Sequence, residues 1–68
     1  MDIVEIATDT IRLGQLLKLA NLVDAGSDAK ALLSQGRVTV NGEVETRRGR
    51  QLVRGDVVRL GNTAVQVR

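Results

Sequence analysis

Arg47, Arg48 and Arg50 place three guanidinium groups within four residues, with Gly49 among them. A guanidinium is a planar fork of five donors that stays charged and pairs two-pronged with phosphate oxygens. Thr46 to Gln51 holds no apolar residue, so this segment reads as a polar loop, and Gly49 lets its backbone bend. Guanidinium groups held this close repel one another unless an anion joins them. In solvent that repulsion is tolerable. The sequence therefore predicts that folding does not require the cluster and that its use is to meet phosphate.

A second candidate is Ser27-Asp28-Ala29-Lys30, which matches the S-x-x-K spacing of serine acyl-enzymes. Two fixed positions in four match often by chance, and the companion motifs of that chemistry are absent. Ser27 reads better as a helix cap, its hydroxyl accepting a first-turn backbone N–H, with Asp28 beside the positive end of the helix dipole. Other chemistries lack their reagents. There is no Cys and no His, which removes the thiolate nucleophile, the commonest metal ligand and the usual general base. No Phe, Tyr or Trp is present, so bases cannot stack on aromatic rings. No G-x-G-x-x-G or P-loop occurs, and the carboxylates show no metal-loop spacing. The chain reads as a non-enzyme with no cofactor, no metal and no small-molecule substrate.

At 68 residues the chain allows one domain, read as spanning 1–68, with little room for a buried cleft. With 43% hydrophobic and 26% charged residues it reads as globular. The net charge is only +2, yet eight of the ten cations are Arg. Residues 1–11 carry net −3, and residues 37–54, with five Arg against Glu43 and Glu45, carry net +3. No apolar run approaches the roughly 20 residues of a membrane span, and the acidic start Met1-Asp2-Ile3-Val4-Glu5 lacks the basic opening of a signal peptide. The expected location is the cytoplasm.

The elements that must position these residues follow from the apolar periods. Ile3, Val4 and Ile6 form a short β-prone edge over 3–6, and Thr8-Asp9-Thr10 offers helix caps. Leu13, Leu16, Leu17 and Ala20 mark one face of a helix over 13–22, with Gln15, Lys18 and Asn21 opposite. Ala29, Leu32 and Leu33 line a second helix over 27–35, closed by Gly36 as its left-handed terminal residue. The period then changes to two. Val38 and Val40 point inward, and Asn41-Gly42 predicts a type I′ hairpin. Leu52-Val53 returns to the core after the loop, and Glu43 to Glu45, Val57 to Leu60 and Ala64 to Val67 complete the strands. The order β-α-α-β-β-β-β predicts an α+β domain. Its expected core is Leu13, Leu16, Leu17, Ala29, Leu32, Leu33, Val38, Val40, Val57 and Val65. A helix-turn-helix reading fares poorly, because the second helix would offer Asp28, Lys30, Ser34 and Gln35 to base edges, with one cation among them.

The spacing also resembles a family. Arg12-Leu13, then Gly36-Arg37-Val38-Thr39-Val40-Asn41-Gly42, then Val53-Arg54-Gly55-Asp56-Val57-Val58 is similar to the S4 RNA-binding domain over about residues 12–60. Leu13-Gly14-Gln15-Leu16-Leu17-Lys18-Leu19-Ala20 and Thr46-Arg47-Arg48-Gly49-Arg50 are similar to segments of the small free-standing, ribosome-associated S4-like proteins of bacteria. Two positions depart from the family pattern. Its Ser-Arg pair is Ser27-Asp28 here, and the acidic residue usual after Arg-Leu is Gly14.

The resemblance implies an S4-like (αL) fold: two short antiparallel helices packed on a small, mainly antiparallel sheet of four to five short strands. It implies a monomer that binds structured RNA, with rRNA or a ribosomal assembly particle as the expected partner. The RNA-binding residues it implies are Arg12, Lys30, Arg37, Arg47, Arg48 and Arg50. Two rival readings stand beside it: a protein-interaction module that meets an acidic partner surface, and an S4 module detached from a larger RNA-modifying enzyme.

Overall fold

Gly36 is where helices give way to strands, as the change of apolar period predicts. The structure, a computed structural model, describes residues 1–24 and 26–68, with Gly26 and Ser27 described in their backbone only. Its elements are β1 (Asp2–Val4), β2 (Thr10–Arg12), α1 (Leu13–Leu19), α2 (Gly26–Ser34), β3 (Val38–Val40), β4 (Glu43–Val44), β5 (Gln51–Val53), β6 (Val57–Leu60) and β7 (Thr63–Val67). Five strands form one sheet in the order β1-β7-β6-β3-β4. All its pairs are antiparallel except β1 with β7. The helices pack on this sheet through Leu13, Leu16, Leu17, Ala29 and Leu33, which share one core with Val38, Val40, Val58, Val65 and Val67. The expected α+β architecture is thus the one observed.

Both helices end in the same way. Gly36 takes φ 70°, its N–H donates to the Leu33 carbonyl and the Arg37 N–H donates to that of Leu32. This is the double bond of a Schellman motif. In α1 Asn21 plays the glycine's part at φ 59°. Its N–H donates to Lys18 and that of Leu22 to Leu17. The helix therefore closes three residues earlier than the predicted Leu22, because Asn also tolerates the left-handed region. The cap expected from Ser27 lies outside the described residues.

The largest departure is at the start of α1. Thr8-Asp9-Thr10 does not cap it. Residues 10–12 are instead a strand, antiparallel to β5 in a separate two-stranded ladder that sets Ile11 opposite Leu52. Both side chains are buried. Each strand is three residues long, too short to show a period. The edge strand predicted over 3–6 is present as β1, which starts one residue earlier and ends two residues earlier.

Two expected core residues, Leu32 and Val57, are only half-buried. Val40 pairs with Val58 in the β3–β6 ladder. Alternation then sends Val58 inward and Val57 to the outer face, because a one-residue slip reverses every side chain. Ile11, Val23, Leu52, Ala64 and Val67 also join the core.

The Asn41-Gly42 hairpin forms as predicted, with φ 52° and 87°, positive at both residues as type I′ requires. Asn41 does more than turn. Its Nδ2 donates to Asp56 Oδ1 at 3.0 Å, and its Oδ1 accepts the Val57 N–H at 2.9 Å. Asp56 Oδ2 in turn accepts the Val53 N–H at 2.9 Å. The Val-Asn-Gly and Gly-Asp segments are two halves of one joint between the β3–β4 and β5–β6 turns.

Leu33 is 1% exposed, so Leu33→Ala should cost roughly 2–5 kcal/mol. Leu32→Ala should cost clearly less. Urea denaturation followed by far-ultraviolet circular dichroism checks both, and equal costs would contradict this placement of the α2 face.

Candidate functional site

Glu45 organises the arginine loop. Its N–H donates to the Val38 carbonyl at 3.0 Å, which carries the β3–β4 pairing one residue past β4. The residue is 6% exposed. A buried carboxylate is costly unless its lone pairs are filled, and here five donors fill them. Oε2 accepts the backbone N–H of Thr46 at 3.0 Å and of Arg47 at 3.1 Å, and Arg47 Nε at 3.2 Å. Oε1 accepts Arg47 Nη2 and Arg50 Nη1, both at 3.1 Å. The Arg47 side-chain bonds, then its backbone N–H, then Arg50 hold the Glu45 carboxyl at about 2 against the opposing effect of burial. The same pairing pushes the Arg47 guanidinium up.

This corrects the expectation that the cluster is dispensable to folding. The anion that relieves the repulsion is inside the chain. Losing Arg47 and Arg50 together would leave Glu45 buried without its guanidinium partners. The Arg47 side chain nevertheless stays 75% exposed, and that of Arg50 31%.

The loop so held docks on α1. The first N–H groups of a helix lack intrahelical partners. In α1 the Leu13 N–H donates to the Arg50 carbonyl at 2.8 Å, and that of Gly14 to the Arg48 carbonyl at 3.0 Å. The Gln15 side chain accepts the Arg12 N–H at 3.4 Å, a long and weak bond. Gly14 is buried, and a Cβ there would lie 2.5 Å from Arg48 Cγ. Glycine at this position is what lets the Arg48 stem lie against the helix.

Docking creates a shallow recess of about 410 Å³ lined by Arg12, Gly14, Gln15, Lys18, Arg48 and Gly49. Three cations line it and no carboxylate does. Of the six expected site residues, it gathers Arg12 and Arg48. Arg47 and Arg50 support it from the Glu45 side. Arg37 lines a different recess, which it shares with Asp24 and Asp28. Lys30 is exposed on α2 and borders neither. Lys18 is the cation that sequence reasoning missed. Its signal was the spacing Arg12, Gln15, Lys18, three residues apart each time, which stacks side chains along one side of a helix.

The Glu45 carboxyl sits at about 2 in the folded chain against an ordinary 4.5. Because the folded value is depressed, its stabilisation is complete above about 4.5 and is lost as pH falls toward about 2. The urea midpoint should therefore drop between about pH 5 and about pH 2.5, and Glu45→Gln should flatten that drop. An equally steep fall in the variant would assign acid sensitivity to other carboxylates.

Comparison with known proteins identifies the family of this fold. The S4 domain profile matches residues 4–68. The chain is 49% identical over 57 residues to the Bacillus subtilis (strain 168) protein named "Probable ribosome maturation protein RlbA", covering 84% of this chain and 80% of that one. It is 39% identical over 57 residues to YbcJ of Escherichia coli (strain K12), covering 84% and 81%. The solution structure of E. coli YbcJ, described as revealing an αL motif involved in RNA-binding, superposes with a TM-score of 0.75 at 34% identity. That match covers 98% of this chain and 86% of YbcJ. With its two helices, its mainly antiparallel sheet and this profile match over residues 4–68, the chain belongs to the S4 domain family.

Proposed function

We propose that this chain is a non-catalytic, monomeric, single-domain protein of the cytoplasm that binds structured RNA, with ribosomal RNA or a ribosome assembly particle as its partner. The observation that carries the reading is the convergence of Arg12, Lys18 and Arg48 around one recess without a carboxylate. The naming of the Bacillus relative for ribosome maturation and of the YbcJ motif for RNA-binding supports it.

An A-form RNA helix presents shape, phosphates and 2′-hydroxyls rather than readable base edges in its deep groove. Cations held by α1, by the strand that leads into it and by the docked loop suit that target, and phosphate contacts set position with little sequence information. Arg48 and Arg12 can grip phosphate two-pronged, and Lys18 adds a point charge. The exposed Arg47 head extends the surface along the loop. Arg37 and Lys30 contribute less, since Asp24 and Asp28 lie beside Arg37.

Replacing Arg12, Lys18 and Arg48 together with Gln removes none of the Glu45 bonds described above and changes no core residue. Each neutralised phosphate releases counterions, so the log–log salt dependence of binding should flatten by about two to three units. Affinity should fall by a similar factor for RNAs of different sequence. Titration of structured rRNA fragments at several salt concentrations measures both. An unchanged slope would take the RNA off this recess and favour an acidic protein partner for it.

A further inference from the structure

We propose that Glu45 is a positioning residue for RNA binding, an acid whose presence strengthens attachment to a polyanion. The inference rests on the recess being the RNA site. Glu45 does not line that recess, and its charge opposes RNA. Its effect is on where Arg48 stands.

Five polar residues with a glycine among them have many conformations. Ordering such a segment at the moment of binding subtracts from affinity. Glu45 orders it beforehand. One carboxylate oxygen gathers the N–H groups of Thr46 and Arg47 into a turn. The other joins Arg47 to Arg50, and the Arg50 N–H donates back to the Arg47 carbonyl at 3.3 Å. Arg48 is the residue between these fixed points. Its carbonyl lands on the Gly14 N–H, and its stem crosses the helix where Gly14 has no side chain. The head of Arg48 is thereby brought to the wall it shares with Arg12 and Lys18. Without the carboxylate, Arg47 and Arg50 lose their common anchor, and mutual repulsion spreads the loop.

Charge alone predicts the opposite sign. Removing an acid beside a basic loop strengthens the attraction to RNA. Glu43 supplies the control, because it is exposed on β4, two residues away. Glu43→Gln and Glu45→Gln both raise the formal net charge from +2 to +3.

Binding of a structured rRNA fragment is measured over a salt series for the wild type and both variants. The chain has no aromatic residue, so folding is verified by far-ultraviolet circular dichroism and amide NMR. Glu43→Gln should bind as well as the wild type or more tightly. Glu45→Gln should bind about tenfold more weakly. Its salt slope should flatten by about one unit as Arg48 leaves the phosphates. A purely structural role would lower the folded fraction and leave the slope of the folded molecules unchanged.

A folded Glu45→Gln variant that tightens like Glu43→Gln overturns the inference. If that variant does not fold, Glu45→Asp decides. It keeps the charge but is one methylene too short to span both arginines, so it should weaken binding several-fold. Wild-type affinity in Glu45→Asp also overturns the inference. Failure of the wild type to bind RNA is a separate outcome, which removes the functional reading itself.

Discussion

A carboxylate taken out of water must be matched bond for bond, and in a 68-residue chain one such group can set the geometry around it. Glu45 is that group here. Its bonds run forward along the chain to Thr46, Arg47 and Arg50, and its own N–H runs back to β3. The arginine loop is therefore an extension of the sheet rather than an independent appendage. From that fixed base two carbonyls reach the first two N–H groups of α1. A seven-residue helix is too short to be stable from its own hydrogen bonds. Its start is completed by the loop and its end by Asn21, while Leu13, Leu16 and Leu17 fasten it to the core.

The segments that signal the family have a physical reading as paired joints. Leu13-Gly14-Gln15 and Arg47-Arg48-Gly49-Arg50 meet at the α1 start, where the missing side chain of Gly14 and the carbonyls of the loop are complementary. Val40-Asn41-Gly42 and Gly55-Asp56 meet through the Asn41 amide. Gly55 takes φ 99°, a conformation that a side chain rarely adopts, and this turns the chain so that Asp56 faces both Asn41 and the Val53 N–H. These contacts bridge residues far apart in sequence. In a domain with so small a core, such bridges fix turns that apolar burial leaves free.

Most of the fold was legible because it is written in local rules. Period 3.6 marked both helices, Gly36 marked the end of α2, and Asn41-Gly42 marked the hairpin. The misses have two causes. β2 and β5 are three residues each and are defined by each other, so neither shows a pattern of its own. Val57 and Leu32 sat one position from the true inner residues, and burial there is decided by cross-strand register and helix rotation, which are tertiary facts. The residues of the candidate site were legible as a cluster but not in their arrangement. The arginine cluster stood out in the sequence, yet the partner of Arg47 and Arg50 is Glu45, an acid within five residues. Its proximity was visible, but only strand pairing shows that it points inward. Lys18 escaped because it looked like an ordinary solvated helix position.

The two departures from the family pattern acquire a common meaning in this geometry. An acidic residue after Arg12-Leu13 would stand where Gly14 lines the recess, between Arg12 and Arg48. Its side chain would collide with the Arg48 stem, and its charge would cancel part of the cation that the recess gathers. Glycine removes both obstacles. At the other position, Asp28 stands in place of the pattern's arginine and shares a recess with Asp24 and Arg37, so that recess presents two acids to one base. Positive charge is thus withdrawn from the start of α2 and concentrated where α1 meets the arginine loop. One change clears a place for Arg48 and the other removes a competing cation from α2. The recess between α1 and the loop is thus lined by Arg12, Lys18 and Arg48, and the loop that carries Arg48 is tied down by the bonds of Glu45.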